Sequence, residues 1–276
     1  MKIFDRIRFG ALCLLLALYC QISLSACSDN DSIPVGGKVA EIVDRGTLLV
    51  GTTGDYRPLS YYDSSLGDYW GFGIDMAKQI ANRLGVEVKF VQTSWPTLTS
   101  DVLAEPQLFD FAIGGITITD ARKEIMLMSD GYLANGKTIL CRASDSERFQ
   151  SLSDIDQPDV RVMVNPGGLN EKFANENLKH AQIIVYEKNE EIPSLIADGK
   201  ADVMITEITE APYYVNTDSR LSAPLLNSPF THGKIGVLMQ QGQEDLLDVV
   251  NELIQKMKDD GSLKQLHDKW GLVYGI

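Results

Sequence analysis

The sequence predicts a bilobed α/β fold, with two parallel or mixed sheets flanked by helices and joined by a two-strand hinge. Three observations predict it. From Val39 onward, short apolar runs alternate with segments of helical spacing, the pattern of βαβ units. Two extended segments, around Lys137 and around Lys234, enclose a self-contained block, as two crossings between lobes would. About 240 residues follow the front end, enough for two lobes or one large domain, and an apolar content of 44% suits a globular chain.

The front end reads as an export signal. Lys2, Arg6 and Arg8 precede an apolar run over residues 11–19, and Leu24-Ser25-Ala26-Cys27 follows. The apolar run is shorter than the roughly 20 residues a membrane-spanning helix needs. Leu24 to Cys27 resembles the lipobox of bacterial lipoproteins, which implies cleavage after residue 26 and a lipid anchor on Cys27. Residues 27–38 are then the lipidated cysteine and a polar tether. Ser28, rather than Asp, favours the outer membrane by analogy with proteobacterial lipoproteins. Residues 39–136 with 235–276 are expected to form one lobe and 137–234 an inserted second lobe.

Within the first lobe, residues 47–52, 86–91 and 109–113 read as strands, residues 73–84 as a helix closed by Gly85, and 119–126 as a helical turn capped by Thr119. In the inserted block, 137–142, 160–164, 183–186 and 201–206 read as extended, and 151–155, 170–178 and 192–198 as helices. Residues 233–239 return as an extended segment, and 244–258 and 263–270 close the chain as helices. Ligands of open α/β sheets bind beyond the carboxyl ends of the strands, so two facing sheet edges make a cleft.

Without residues 1–26 the chain carries 22 basic and 37 acidic side chains, a net charge of −15. Such a surface repels nucleic acid, while a local basic pocket still admits an anionic small ligand. Cys13 and Cys20 fall in the signal and Cys27 is the anchor, which leaves Cys141 alone and no intramolecular disulfide. His180, His232 and His267 have no ligand-like spacing, so no metal is expected.

The residues able to do chemistry collect at strand ends. Gly51-Thr52-Thr53-Gly54 delivers Asp55 and Tyr56 to one edge. Gly114-Gly115-Ile116-Thr117 exposes amides and a hydroxyl, and Arg122 on the next helix can grip a carboxylate with two parallel hydrogen bonds. Asn165-Pro166-Gly167-Gly168-Leu169-Asn170 opens a helix whose first amides suit an anion. Glu207 and Glu210 end the strand over 201–206, as ligand groups or as acids favoured by a helix dipole. Trp95 is either a pocket wall or core, and Lys137 at the hinge is either solvated or aimed at a substrate oxygen.

The stretch Gly114-Gly115-Ile116-Thr117-Ile118-Thr119-Asp120-Ala121-Arg122 resembles the carboxylate-binding motif of polar amino-acid-binding proteins of ABC transporters, which have the type II periplasmic binding protein fold. A nearer resemblance is to the periplasmic cyclohexadienyl dehydratases, enzymes on the same scaffold. It is carried by Gly51-Thr52-Thr53-Gly54-Asp55-Tyr56-Arg57-Pro58, Thr93-Ser94-Trp95-Pro96, Asn135-Gly136-Lys137-Thr138 and Arg148-Phe149-Gln150-Ser151-Leu152. It continues through Ile155-Asp156-Gln157-Pro158, Val164-Asn165-Pro166-Gly167-Gly168-Leu169-Asn170-Glu171-Lys172-Phe173-Ala174 and Asp198-Gly199-Lys200-Ala201-Asp202.

That resemblance implies decarboxylating dehydration of prephenate, of L-arogenate, or of both, with no cofactor. It implies Glu210 as general acid, with Lys137 and Asn165 beside it in the catalytic group. Arg122, Thr117, Gly115, Gly168, Leu169, Glu207, Asp55, Tyr56 and Trp95 are then expected to bind substrate. The chain departs from those relatives in carrying Glu207 for Asp, Leu169 for Thr and Gly114 for Ser. The competing expectation is a lipid-anchored receptor with an ABC permease as partner, in which a carboxylate of Glu207 or Glu210 holds a ligand amine.

Overall fold

The computed structural model describes residues 36–273. Residues 1–26 and Cys27, read as signal and anchor, lie outside the described residues. Helix α1 (Gly37–Arg45) leads into β1 (Thr47–Thr52), and a small antiparallel meander follows: β2 (Asp55–Tyr56), β3 (Ser60–Asp63) and β4 (Asp68–Trp70). Then come α2 (Phe72–Leu84), β5 (Glu87–Gln92), α3 (Leu98–Val102), β6 (Phe111–Ala112), α4 (Asp120–Ile125) and β7 (Leu127–Met128). The chain crosses to the second sheet through β8 (Leu133–Asn135) into β9 (Lys137–Arg142). It continues through α5 (Leu152–Ile155), β10 (Arg161–Val164), α6 (Leu169–Asn177), β11 (Gln182–Val185), α7 (Ile192–Ala197), β12 (Val203–Glu207), α8 (Ala211–Thr217) and β13 (Leu221–Ser222). It returns by β14 (Gly233–Ile235) to β15 (Leu238–Met239), α9 (Glu244–Asp259) and α10 (Ser262–Lys269).

Two five-stranded sheets result. The first runs β5-β1-β6-β15-β7, with β1 parallel to both neighbours and β15 antiparallel to β6 and β7. The second runs β11-β10-β12-β9-β13, with β10 parallel to β11 and β12 and β9 antiparallel to β12 and β13. Both are mixed because each lobe closes with a strand that arrives from the other lobe. The crossings pair with each other, Gly233 opposite Asn135 and Ile235 opposite Leu133. Gly136 sits where a Cβ would lie 2.1 Å from the carbonyl oxygen of Thr231, so only glycine lets the crossings approach this closely.

Residues become elements for local reasons. In α9 the buried positions are Leu246, Val249, Val250, Leu253, Ile254 and Met257, one apolar stripe laid on the first lobe. Helix α2 ends where Gly85 takes φ 69°, and its amide returns to the carbonyls of Ala81 and Asn82. The extended segment expected over 233–239 is interrupted at Gly236 and Val237, whose amides donate to the Ile116 carbonyl and to Ser129 Oγ instead of a strand partner. The meander β2–β4 was not expected from the sequence: its strands are two to four residues long and alternate too briefly to register.

The stretch read as a tether ends two residues early. Gly37 and Lys38 already belong to α1, and Lys38 is buried. Its ammonium lies 2.9 Å from Asp110 Oδ1, while Arg45 Nη2 lies 2.5 Å from Asp110 Oδ2. The amide of Leu49 donates to the same carboxylate at 2.8 Å, so one buried acid joins α1 to β1. Removing one partner of such a group leaves uncompensated charge. Asp110→Ala should therefore lower unfolding free energy by about 3 kcal/mol, read as a fall in urea midpoint.

Candidate functional site

Each lobe contributes one wall of a small cavity of about 20 Å³. On the first lobe, β6 runs into Gly114 and Gly115, with φ 117° and 98°. A Cβ on Gly115 would lie 2.6 Å from the Tyr56 ring, so glycine here lets Tyr56 lie against the loop. A Cβ on Gly114 would lie 2.7 Å from Ser60 Cβ and 2.9 Å from Thr52 Oγ1, which gives the Gly114 departure a steric reason. Thr119 caps α4 by accepting from the Arg122 amide at 3.2 Å, and Arg122 Nη1 donates to the Thr117 carbonyl at 2.6 Å. The guanidinium is thereby fixed against the cavity wall, with the rest of its planar fork available to a ligand. Trp95 packs edge-on to Tyr56, with ring centroids 5.5 Å apart, and its indole N–H donates to Asp55 Oδ1 at 3.0 Å.

On the second lobe, the antiparallel register of β9 and β12 sets Lys137 directly opposite Glu207. Lys137 Nζ donates to Glu207 Oε1 at 2.7 Å and to Asn170 Oδ1 at 2.6 Å. Asn170 Nδ2 in turn donates to Asn165 Oδ1 at 3.4 Å. Gly168 is the N-cap of α6 and Leu169 its first residue, and both line the cavity with Asn165. Glu207 also reaches the other lobe: the Tyr56 hydroxyl donates to Oε2, and Thr117 Oγ1 donates to Oε1 at 3.2 Å.

The two carboxyls at the end of β12 differ. Burial pushes the Glu207 carboxyl up, but the Lys137 ammonium and the hydrogen bonds from Lys137 and Tyr56 more than offset it and hold Glu207 below the usual range. Burial pushes Glu210 up to about 8, helped by the charges of Glu207 and Asp55 and opposed by hydrogen bonds from Thr206 and Asn189. Lys137, which the sequence suggests beside Glu210, instead neutralises Glu207. Burial lowers the Arg122 guanidinium and Glu207 raises it.

Ten residues singled out from the sequence meet at the cavity: Tyr56, Trp95, Gly115, Thr117 and Arg122 from one lobe, and Lys137, Asn165, Gly168, Leu169 and Glu207 from the other. Glu210 and Asp55 do not line it. Glu210 is fully buried at the N-cap of α8, where Oε2 accepts from Thr206 Oγ1 at 2.5 Å and Oε1 from Asn189 Nδ2 at 2.9 Å. Asn189 Nδ2 also donates to the Asp55 carbonyl at 3.0 Å, which links Glu210 to the first lobe. Sequence reasoning missed Asn170, Asn189 and Asn135. Asn135 donates to Thr117 Oγ1 and accepts from Thr209 Oγ1, each at 3.1 Å. Asn170 belongs to the glycine loop read from the sequence; Asn189 opens a short 3-10 turn, Asn189–Glu191, that carries no sequence signal. Among the described residues no group of His, Cys, Asp and Glu is placed to hold a metal ion.

The bacterial extracellular solute-binding proteins, family 3, match residues 48–273. The chain is 39% identical to a cyclohexadienyl dehydratase of Pseudomonas aeruginosa, over 84% of this chain and 85% of that one. It is 28% identical to the L-cystine-binding protein TcyJ of Escherichia coli, over 85% and 86%. Among solved structures it resembles the ancestral amino acid-binding protein AncCDT-1, described as a precursor of cyclohexadienyl dehydratase, with TM-score 0.76, 36% identity and coverage of 85% and 99%. It also resembles a point variant of an ancestral cyclohexadienyl dehydratase, AncCDT-3, with TM-score 0.53, 51% identity and coverage of 85% and 96%. The fold is the type II periplasmic binding protein fold.

The raised Glu210 carboxyl has a consequence for stability. Its folded pKa of about 8 exceeds the ordinary 4.5, so its contribution is fully present below pH 4.5 and is lost as pH rises toward 8. Glu210→Gln should flatten that fall. Urea midpoints measured from pH 4.5 to 9 should show the variant gaining several kcal/mol on the native chain by the alkaline end.

Proposed function

The chain belongs to the bacterial extracellular solute-binding proteins, family 3, and we propose that within this family it is a cofactor-independent dehydratase. The reaction is the decarboxylating dehydration of prephenate to phenylpyruvate, of L-arogenate to L-phenylalanine, or both. The observation that carries this reading is Glu210, a buried carboxyl that keeps its proton to about pH 8 beside an ionised Glu207. A reaction that expels a hydroxyl needs an acid protonated at neutral pH. The similarity to a cyclohexadienyl dehydratase supports the same reading.

The chemistry is balanced without redox. The bond between ring carbon and carboxylate breaks and releases carbon dioxide. Its electron pair enters the ring, the ring carbon–oxygen bond breaks, and the proton from Glu210 leaves with the hydroxyl as water. Aromatisation drives the step, so the protein has to place the substrate and deliver one proton. Arg122, with Thr117 and the amides at Gly115, holds a carboxylate. Asn165, Lys137 and the first amides of α6 face it from the second lobe. Because Glu210 does not line the cavity, this step requires its side chain to rotate out of its bonds with Thr206 and Asn189 to reach the leaving hydroxyl. We place the two lobes at 39–136 with 235–276 and at 137–234, closing over the substrate to exclude water.

A second reading has its own support. Family members include proteins named for binding L-cystine, glutamine and histidine, and an ionised Glu207 is a group that a ligand amine can meet. On that reading the chain is a receptor with an ABC permease as partner. On either reading we propose export, with a lipid on Cys27 tethering the chain to a bacterial membrane; mass spectrometry of the membrane-extracted protein should find Cys27 as an acylated N-terminus.

Purified protein mixed with prephenate should yield phenylpyruvate, followed by its absorbance in alkali. Absence of product together with tight binding of an amino acid would select the receptor. Glu210→Gln should keep prephenate affinity within about threefold and lose at least ~100-fold in kcat; wild-type turnover in this variant would remove the acid from the mechanism. Arg122→Ala should raise KM at least ~10-fold, the loss of a charge-assisted bidentate contact, and an unchanged KM would exclude Arg122 from carboxylate binding.

A further inference from the structure

The Glu207 carboxylate is occupied from within the protein. Lys137 and Thr117 donate to Oε1, and Tyr56 donates to Oε2. The side chains of Lys137 and Glu207 are only 8% and 5% exposed. Their pairing is not a rotamer accident, because strand register places them opposite each other and Asn170 holds the ammonium from its other side. The other carboxylates nearby are engaged too: Asp55 accepts from the Trp95 indole, and Glu210 is tied to Thr206 and Asn189. The cavity wall thus presents two cations, Arg122 and Lys137, against one anion that is already paired.

An incoming ammonium would have to displace Lys137 from Glu207 or stand beside it as a like charge next to a buried pair, where such repulsion is weakly screened. A ligand with a keto group at the same carbon meets no such conflict, and its oxygen can accept from Lys137. We infer that Lys137, by sequestering Glu207, makes this cavity select 2-oxo acids over the amino acids of the same carbon skeleton. Resting on the dehydratase reading, this names prephenate, not L-arogenate, as the preferred substrate.

Calorimetry on the purified protein with phenylpyruvate and with L-phenylalanine tests the selection without requiring turnover. The two differ only at the second carbon. Phenylpyruvate should bind at least ~10-fold more tightly, and Lys137→Met should shrink that ratio at least ~10-fold by releasing Glu207 to an ammonium. Should Lys137→Met not fold, Asn170→Ala, which removes the other bond holding the ammonium, should shrink the ratio about threefold. L-phenylalanine binding as tightly as phenylpyruvate, no binding of phenylpyruvate, or an unchanged ratio in the folded variant overturns the inference. Turnover then separates it from the reading it rests on. Equal kcat/KM for prephenate and L-arogenate sinks the selection and leaves the dehydratase standing. No turnover of either, with phenylpyruvate still preferred in calorimetry, sinks the dehydratase and leaves the selection standing.

Discussion

The buried pair of Lys137 and Glu207 is the constraint on which the rest of the site depends. It lies where the inserted lobe begins: Lys137 is the first residue of β9 and Glu207 the last of β12. The backbone of Lys137 is fixed by the returning crossing, with its amide donating to Thr231 Oγ1 at 2.9 Å and its carbonyl accepting from Phe230 at 2.7 Å. One residue therefore ties hinge, sheet and cavity together. A buried ion pair of this kind is poor evidence for stability, because desolvation offsets most of the attraction. Its value is positional, since neither partner can leave without stranding a charge.

From that pair the electrostatics of the cavity follow. Glu207 is ionised because Lys137 is beside it. Glu210, three residues on and bonded to Thr206 and Asn189 instead of that ammonium, meets the same burial with a negative neighbour. Two carboxyls at one strand end thus settle in opposite protonation states, the arrangement from which acid and base roles are usually read. The cross-lobe bonds from Tyr56 and Thr117 extend the same carboxylate to the first lobe, so the charged pair also sets where the lobes meet.

Much of this was legible in the sequence, and the unread part has physical causes. Gly114 and Gly115 were marked out as a turn exposing its amides, and the structure leaves no room for a Cβ at either, 2.7 Å from Ser60 Cβ and 2.6 Å from the Tyr56 ring; the same demand at Gly136, made by the other crossing, carried no local signal. Arg122 was recognisable because Thr119 caps its helix. The partners of Lys137 were not, because which of two acids on one turn faces a lysine depends on strand register, and register depends on the whole sheet. Asn189 was invisible for a similar reason: a polar residue between charged neighbours looks solvated until packing buries it against Glu210. The short meander and the first turn of α1 escaped because elements of a few residues carry little periodicity.

The same physics bears on how a binding scaffold accommodates a reaction. An amino-acid receptor needs a free carboxylate to meet the ligand amine, and a dehydratase needs a carboxylic acid that holds its proton. Both demands fall on the end of β12, and one lysine separates them by using up the first carboxylate. The second is then left to burial. An anionic substrate adds further negative charge nearby, which raises Glu210 still more. On the proposed reading, binding and retention of the catalytic proton therefore reinforce each other. Departure of neutral carbon dioxide leaves the carboxylate's electron pair in the ring and then on the departing oxygen, so negative charge moves onto the atom that takes the proton at the moment Glu210 gives it up.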